Sequence, residues 1–405
     1  MLTLALALLA APLQAAEPPT PPAAAPALRV EGGYAEATPP APGARIHVWA
    51  HLDPRSQIFL GWEGAAAEHL DARDSWHAIL TVPADGLAEP TLRARKVTVA
   101  AEAQSLTFAG PAREKTVDYV LPAASPARAL VFFCHDVGAR RGALRKTEAW
   151  NVALTFVHHG YAVAAINSEE ADTQKAGEDG ALRWNGKDDA LESNLDLQNL
   201  LAARAALIEA GAVAPDADCF TFGQGNGGTF AASAAAVLEW RAAASFCGPG
   251  RKQLLERKAA PTIWVVTTQN YVIRTAADGA RECRQLLEAR GVPAKVHLVG
   301  PSPLRAERLA DRLGMDADVA AGIVATMHRT GVLDPAGMLL VPGITAATRV
   351  EAETLAYEDF HIWNAEDPAR MAEFTQQIEI VGAGHVLLAD HALRVLAFFE
   401  AQRAD

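Results

Sequence analysis

The sequence has little of several things that would announce a function. Its four cysteines, Cys134, Cys219, Cys247 and Cys283, each sit inside an apolar segment, and their spacing matches no zinc motif. They read as buried thiols rather than a disulfide framework. No HExxH occurs, so no metal site is expected, and no cofactor is called for. There is no long Lys/Arg run, and 36 basic against 48 acidic side chains leave a formal charge of −12. Nucleic acid and anionic membrane surfaces therefore find no electrostatic footprint. No apolar window approaches the roughly 18 residues a membrane-spanning helix needs.

What is present is a globular composition, 50% hydrophobic and 21% charged, over 405 residues. That length suggests two domains, or one large domain with an appendage. Residues 1–16 carry no charge, include the apolar run Leu2 to Leu9 and end on Ala15 and Ala16. They read as a secretory signal peptide, which places the mature protein in the periplasm or outside the cell. Residues 17–28 are rich in Pro and Ala and read as an extended tether.

From Val30 to Val97 the pattern has period two, with Ile46, Val48, Ala50 and Leu52 alternating against His47, Trp49 and His51. Alternation bounded by Pro and Gly clusters predicts a small β-domain over residues 29–100. Phe59, Gly61, Trp62 and Gly64, followed by the T-x-P-A step after SWHAIL, resemble a bacterial surface repeat of the internalin B-repeat type. Trp62 and Trp76 are expected to form the core of that domain rather than a ligand platform. A single copy implies a spacer or adhesion module.

After Thr116 apolar runs (ALVFFCH, YAVAAIN, CFTF, TIWVV, AKVHLV) alternate with helical patterns, which predicts an α/β domain with a mostly parallel sheet over residues 110–405. The intervening residues 101–115 show no strong periodicity and are expected to link two loosely packed units. A helical excursion over residues 300–377 reads as an insertion that serves as a cap.

The string CFTFGQGNGGTFAASAAA has the layout of a strand, a glycine-dense turn and a small-residue helix. It resembles the nucleophile elbow of the α/β-hydrolase superfamily, esterases and depolymerases included, with Gly225 in the serine's place. The resemblance covers most of residues 116–405. FFCHDVGARRG resembles the oxyanion loop, which implies His135, Asp136 and Asn226 in the oxyanion region. IEIVGAGHVLLADHALRVLAFFEAQ resembles the loop and helix that present the catalytic histidine, which implies His385. Asn270 falls where the triad acid is expected.

Those departures bear on chemistry. Acyl transfer needs an attacking hydroxyl or thiol, an imidazole to take its proton and a carboxylate to stabilise the imidazolium. Glycine supplies no attacking atom, Asn270 supplies no charge, and a carboxylate at Asp136 opposes the developing oxyanion. The expectation is an exported hydrolase-like protein that has lost catalysis and binds a small molecule, a polymer or a partner. The alternatives are an active ester hydrolase with an unconventional nucleophile, Cys134 or a serine outside the elbow, and a structural envelope or adhesion protein. The segment SEEADTQKAGEDG is expected to be a mobile acidic loop.

Overall fold

The computed structural model describes residues 27–403, apart from 37–39, 177–179, 188, 344, 347 and 350–367. The expected signal peptide and most of the tether lie outside the described residues.

Two three-stranded sheets come first. β1 (Arg29–Glu31), β4 (Gln57–Glu63) and β6 (Thr91–Thr98) form one; β2 (Gly33–Ala35), β3 (Arg45–Ala50) and β5 (His77–Thr81) form the other. Between them lies a core that includes Val48, Trp49, Phe59, Trp62, Trp76 and Leu80. Trp62 and Trp76 are each 4% exposed, so both are core side chains. The Trp62 indole N–H is satisfied by Ser75 O at 2.9 Å.

The large sheet holds eight strands: β7 (Ala103–Ala109), β8 (Glu114–Val120), β9 (Ala127–Cys134), β10 (Tyr161–Ala165), β11 (Val213–Gln224), β12 (Ala242–Phe246), β13 (Thr262–Thr267) and β14 (Ala294–Val299). Their spatial order is β7-β8-β10-β9-β11-β12-β13-β14, and only β8 runs antiparallel to its neighbours. β9 shows why its sequence lacks alternation. Leu130, Phe132 and Cys134 enter the core on one face, and Ala129, Val131 and Phe133 enter the core on the other. A strand covered on both sides gains from apolar residues at every position, roughly 1.5–3 kcal/mol for each large side chain fully buried.

Helices Leu195–Glu209, Asn226–Val237 and Ala276–Ala289 cover the first face, and helices Thr147–His158 and Ala392–Glu400 cover the second. Asn194 caps the first of these, its side-chain oxygen accepting from Asp196 N and Leu197 N. No helix among the described residues is long and apolar enough to cross a membrane.

Three local expectations are corrected. Residues 103–109 of the stretch expected to be a linker are the edge strand β7, paired along its length with β8. The weak signal follows from edge position, where only Phe108 is buried. The small β-module is not loosely attached: Asn151, 2% exposed, donates to Gln57 O at 2.7 Å, Trp150 Nε1 donates to Arg55 O at 3.1 Å, and Ile58 belongs to the core under the large sheet. The expected acidic loop begins as a short helix, Glu169–Thr173, capped by Ser168, and Asp172 and Glu169 pair with the buried Lys115 at 2.6 and 3.5 Å.

The excursion after β14 contains helices Ala306–Leu313 and Ala317–Arg329, and its helix Pro368–Val381 runs past residue 377. This insertion has its own core around Leu309, Ile323, Met327 and Phe374. The part of the expected cap that falls in residues 350–367 is outside the described residues.

Candidate functional site

At the C-terminal end of β11 the chain turns sharply into helix Asn226–Val237. The residue at the turn, Gly225, has φ +54° and ψ −117°, a conformation that costs a residue with a Cβ roughly 1–3 kcal/mol. Two positions on, a Cβ on Gly227 would lie 2.2 Å from the carbonyl oxygens of Cys134 and His135. Glycine there lets the helix start sit directly against the end of β9. The loop that leaves β9 is thereby placed over the turn.

That loop contributes Asp136, whose carboxylate stands in the space an elbow side chain would occupy. A Cβ built on Gly225 would lie 2.2 Å from Asp136 Oδ1 and 2.6 Å from His385 Nε2. Oδ1 accepts from the backbone N–H of Asn226 at 3.1 Å and of Val137 at 2.7 Å. Oδ2 lies 2.9 Å from His385 Nε2. In this turn geometry, the N–H after the elbow residue and an N–H of the β9 loop are the donors that would face a developing oxyanion. Here both are engaged by a carboxylate belonging to the chain.

His385 lies on the loop before the last helix, with 8% of its side chain exposed. Its Nδ1 lies 3.2 Å from Asn270 Oδ1, and the same oxygen accepts from Ile273 N at 2.9 Å. The amide oxygen is thus oriented by the backbone, and Nδ1–H donates to it. Because Nδ1 carries that proton, the contact between Nε2 and Asp136 Oδ2 holds a further proton between them. Asn270 is 6% exposed, and its Nδ2 reaches Cys247 O at 3.5 Å.

The remaining oxyanion-region residues support the loop. Burial lowers the His135 pKa to about 4, so the ring is neutral at pH 7; Nδ1–H donates to Asp136 O at 2.9 Å and Nε2 accepts from Ser168 N at 3.2 Å. Trp184 covers this ring at 4.9 Å between centroids, and its indole N–H donates to His135 O at 2.8 Å. Asn226 turns its side chain away from the turn, Oδ1 accepting from Trp184 N at 2.8 Å. Trp184 carried no motif in the sequence; its place in an irregular, Gly-rich stretch gave no periodicity to read.

The structure brings Gly225, Asp136, Asn226, Asn270 and His385 together from residues up to 249 positions apart in the chain. Cys134 is not among the reacting groups. Its thiol is fully buried in the core beneath the sheet, and burial raises its pKa far above the ordinary thiol range. All four cysteines are free and buried. Among the described residues no cluster of His, Cys, Asp and Glu could hold a metal ion.

Beside His385 lies a cavity of about 330 Å³, walled by Gln269, Tyr271, Leu340, Gly343, Glu379 and Gly384. Five large apolar side chains are exposed among the described residues, and four flank this region: Val137 at 41%, Tyr271 at 41%, Val272 at 57% and Leu340 at 61%. Apolar side chains gathered at one mouth mark a contact surface.

The strand order, the strand–glycine–helix turn and the histidine before the last helix together define an α/β-hydrolase-type fold. No family model matches the sequence, and no curated protein matches it. Among solved structures the chain is similar to an α/β serine hydrolase without lid from Xanthomonas campestris, at 15% identity and a TM-score of 0.38, over 56% of this chain and 95% of that one. It is similar to a dienelactone hydrolase from Anabaena variabilis at 19% identity and a TM-score of 0.38, over 49% of this chain and 86% of that one. A third, an esterase, has 13% identity and a TM-score of 0.36, over 55% and 80%. These likenesses do not extend to an activity.

Proposed function

We propose that this chain is an exported protein in which the hydrolase-type centre no longer performs acyl transfer and the mouth above it binds a ligand or partner. One observation carries the reading: the Asp136 carboxylate fills the nucleophile's space, engages both oxyanion donors and occupies His385 Nε2. A substrate carbonyl would have to displace an anion held by charge-assisted hydrogen bonds, each worth roughly 1.5–3 kcal/mol. Once displaced, it would still meet no attacking atom at Gly225. The buried, neutral Cys134 thiol supplies none either.

Binding is the function left to such a site. Val137, Tyr271, Val272 and Leu340 offer apolar area around the mouth, and Gln269 and Glu379 supply polar contacts within the cavity. The sixteen-residue leader and the repeat-like β-module place that activity at the cell envelope, with the module as spacer or adhesion element.

The test is hydrolysis of p-nitrophenyl acetate by the purified mature protein beside His385→Ala, together with mass spectrometry after a fluorophosphonate. The expected result is equal, background turnover and no adduct. Turnover well above that of His385→Ala, or an adduct on any serine, overturns the reading.

A further inference from the structure

A second cavity, of about 330 Å³, lies between the β-module and the far end of the large sheet, where β5, β14 and the turn before the last helix meet. It shares none of the residues of the Asp136 site. Three of its polar side chains are more than nine-tenths buried: Ser75 at 1%, Asp390 at 6% and His391 at 7% exposed. Among the described residues nothing bonds Ser75 Oγ, Asp390 Oδ1 or His391 Nδ1. Each such group left unpaired costs roughly 1–3 kcal/mol, and three around one cavity call for a common occupant.

We propose that this cavity is a second binding site, for a neutral, hydroxyl-rich molecule such as a sugar residue. The proposal goes beyond the reading of the Asp136 site and does not depend on it.

Charge argues for neutrality. Arg45, Arg394 and Asp71 line the cavity with Asp390; Asp74 holds Arg394 at 2.8 Å, and Arg308 lies near enough to act on Asp390 and His77. Three guanidiniums thus face three carboxylates. The imidazoles of His47, His77 and His391 are all shifted down by burial and add no charge at pH 7. Neither an anion nor a cation is selected.

The unpaired groups argue for hydroxyls. A carboxylate oxygen can only accept, a serine hydroxyl can do both, and a neutral imidazole nitrogen does one or the other according to its tautomer. A hydroxyl, which donates and accepts at one atom, can satisfy all three. The opposite wall is apolar, with Ile79, Val299 and Leu298, the last 42% exposed at the rim. A pyranose has the matching character, with C–H faces and hydroxyl edges. Water alone could fill the polar half, at about 30 Å³ a molecule, but gains nothing from the apolar half.

The experiment is saturation-transfer-difference NMR on the mature protein. Glucose, galactose and N-acetylglucosamine are the neutral probes, and acetate and methylammonium are the charged ones, all at millimolar concentration. Transfer to the C–H protons of at least one sugar is expected. Binding should weaken about tenfold in Ser75→Ala and in Asp390→Asn, in line with loss of a buried hydrogen bond. Ser75→Ala is the conservative variant that guards against a folding defect, and melting temperature monitors both. No transfer to any sugar, transfer confined to the charged probes, or transfer undiminished in both variants overturns the proposal and leaves the cavity to solvent.

Discussion

Oδ2 of Asp136 lies 2.9 Å from Nε2 of His385, and this contact determines what the centre can do. In an acyl-transfer triad the same nitrogen would face a hydroxyl and take its proton. Here it faces a carboxylate whose other oxygen already holds Asn226 N and Val137 N. The imidazole is retained and oriented, yet its acceptor lone pair is committed. Histidine, amide and oxyanion donors persist as a structural unit closed around Asp136.

Removing that carboxylate should therefore be felt in stability before it is felt in activity. Asp136→Ala frees two backbone donors and His385, with an expected loss on the order of 2–4 kcal/mol in urea unfolding. Ester turnover should stay at background, because no nucleophile has been added. A variant as stable as wild type would show that the carboxylate contributes nothing net.

Gly225→Ser alone should fold poorly. Its Cβ would sit 2.2 Å from Asp136 Oδ1, in addition to the strain of φ +54°. Combining it with Asp136→Gly and Asn270→Asp clears the space and restores charge behind His385, which in a serine protease is worth about four orders of magnitude. The triple variant should hydrolyse p-nitrophenyl acetate and form a fluorophosphonate adduct, with a rate far above the product of the single effects. A stable triple variant without either would place Gly225 outside an elbow.

Acid should destabilise the protein in a defined window. Burial, the largest cause for each, lowers the pKa values of His135 and His297 to about 4 from an ordinary 6.5. As pH falls through about 6.5 the unfolded chain takes up protons that the folded chain refuses until about 4, so the unfolded state binds more protons between those limits. Stability is thus undiminished above about pH 6.5 and declines toward pH 4. His135, fully buried, accounts for on the order of 2–3 kcal/mol of the decline, and His297, partly exposed, for less because solvent screens it. Urea unfolding across this range checks the slope, which His135→Gln should flatten.

Arg308 offers a test of a different kind. Its guanidinium is 3% exposed, lies 5.0 Å from the Trp76 ring centroid and has no carboxylate within pairing distance among the described residues. A buried charge without a close partner adds little stability, so Arg308→Met should be neutral or stabilising by up to about 3 kcal/mol. Trp76→Ala, which empties the module's core, should cost about 3–5 kcal/mol. Equilibrium unfolding of both variants separates the two contributions.

The parallel sheet was legible because strands covered on both faces, such as ALVFFC and YAVAA, must be apolar at every position. The turn at Gly225 and the close approach at Gly227 were legible for a similar reason: backbone geometry that only glycine tolerates leaves its mark at the residue itself. These are local constraints, and a sequence records them directly. Edge strand β7 left a faint trace, since one buried residue in seven makes no pattern. The firm seating of the β-module left none, because Asn151 bonding to Gln57 O joins residues 94 positions apart. The direction of the Asp136 side chain was likewise outside local information. A carboxylate in the oxyanion loop could be read from the sequence. That it turns inward, fills the volume left by the missing Cβ at Gly225 and closes on His385 was decided by packing in three dimensions, where an empty polar space next to an imidazole and two free N–H groups is satisfied by the nearest anion.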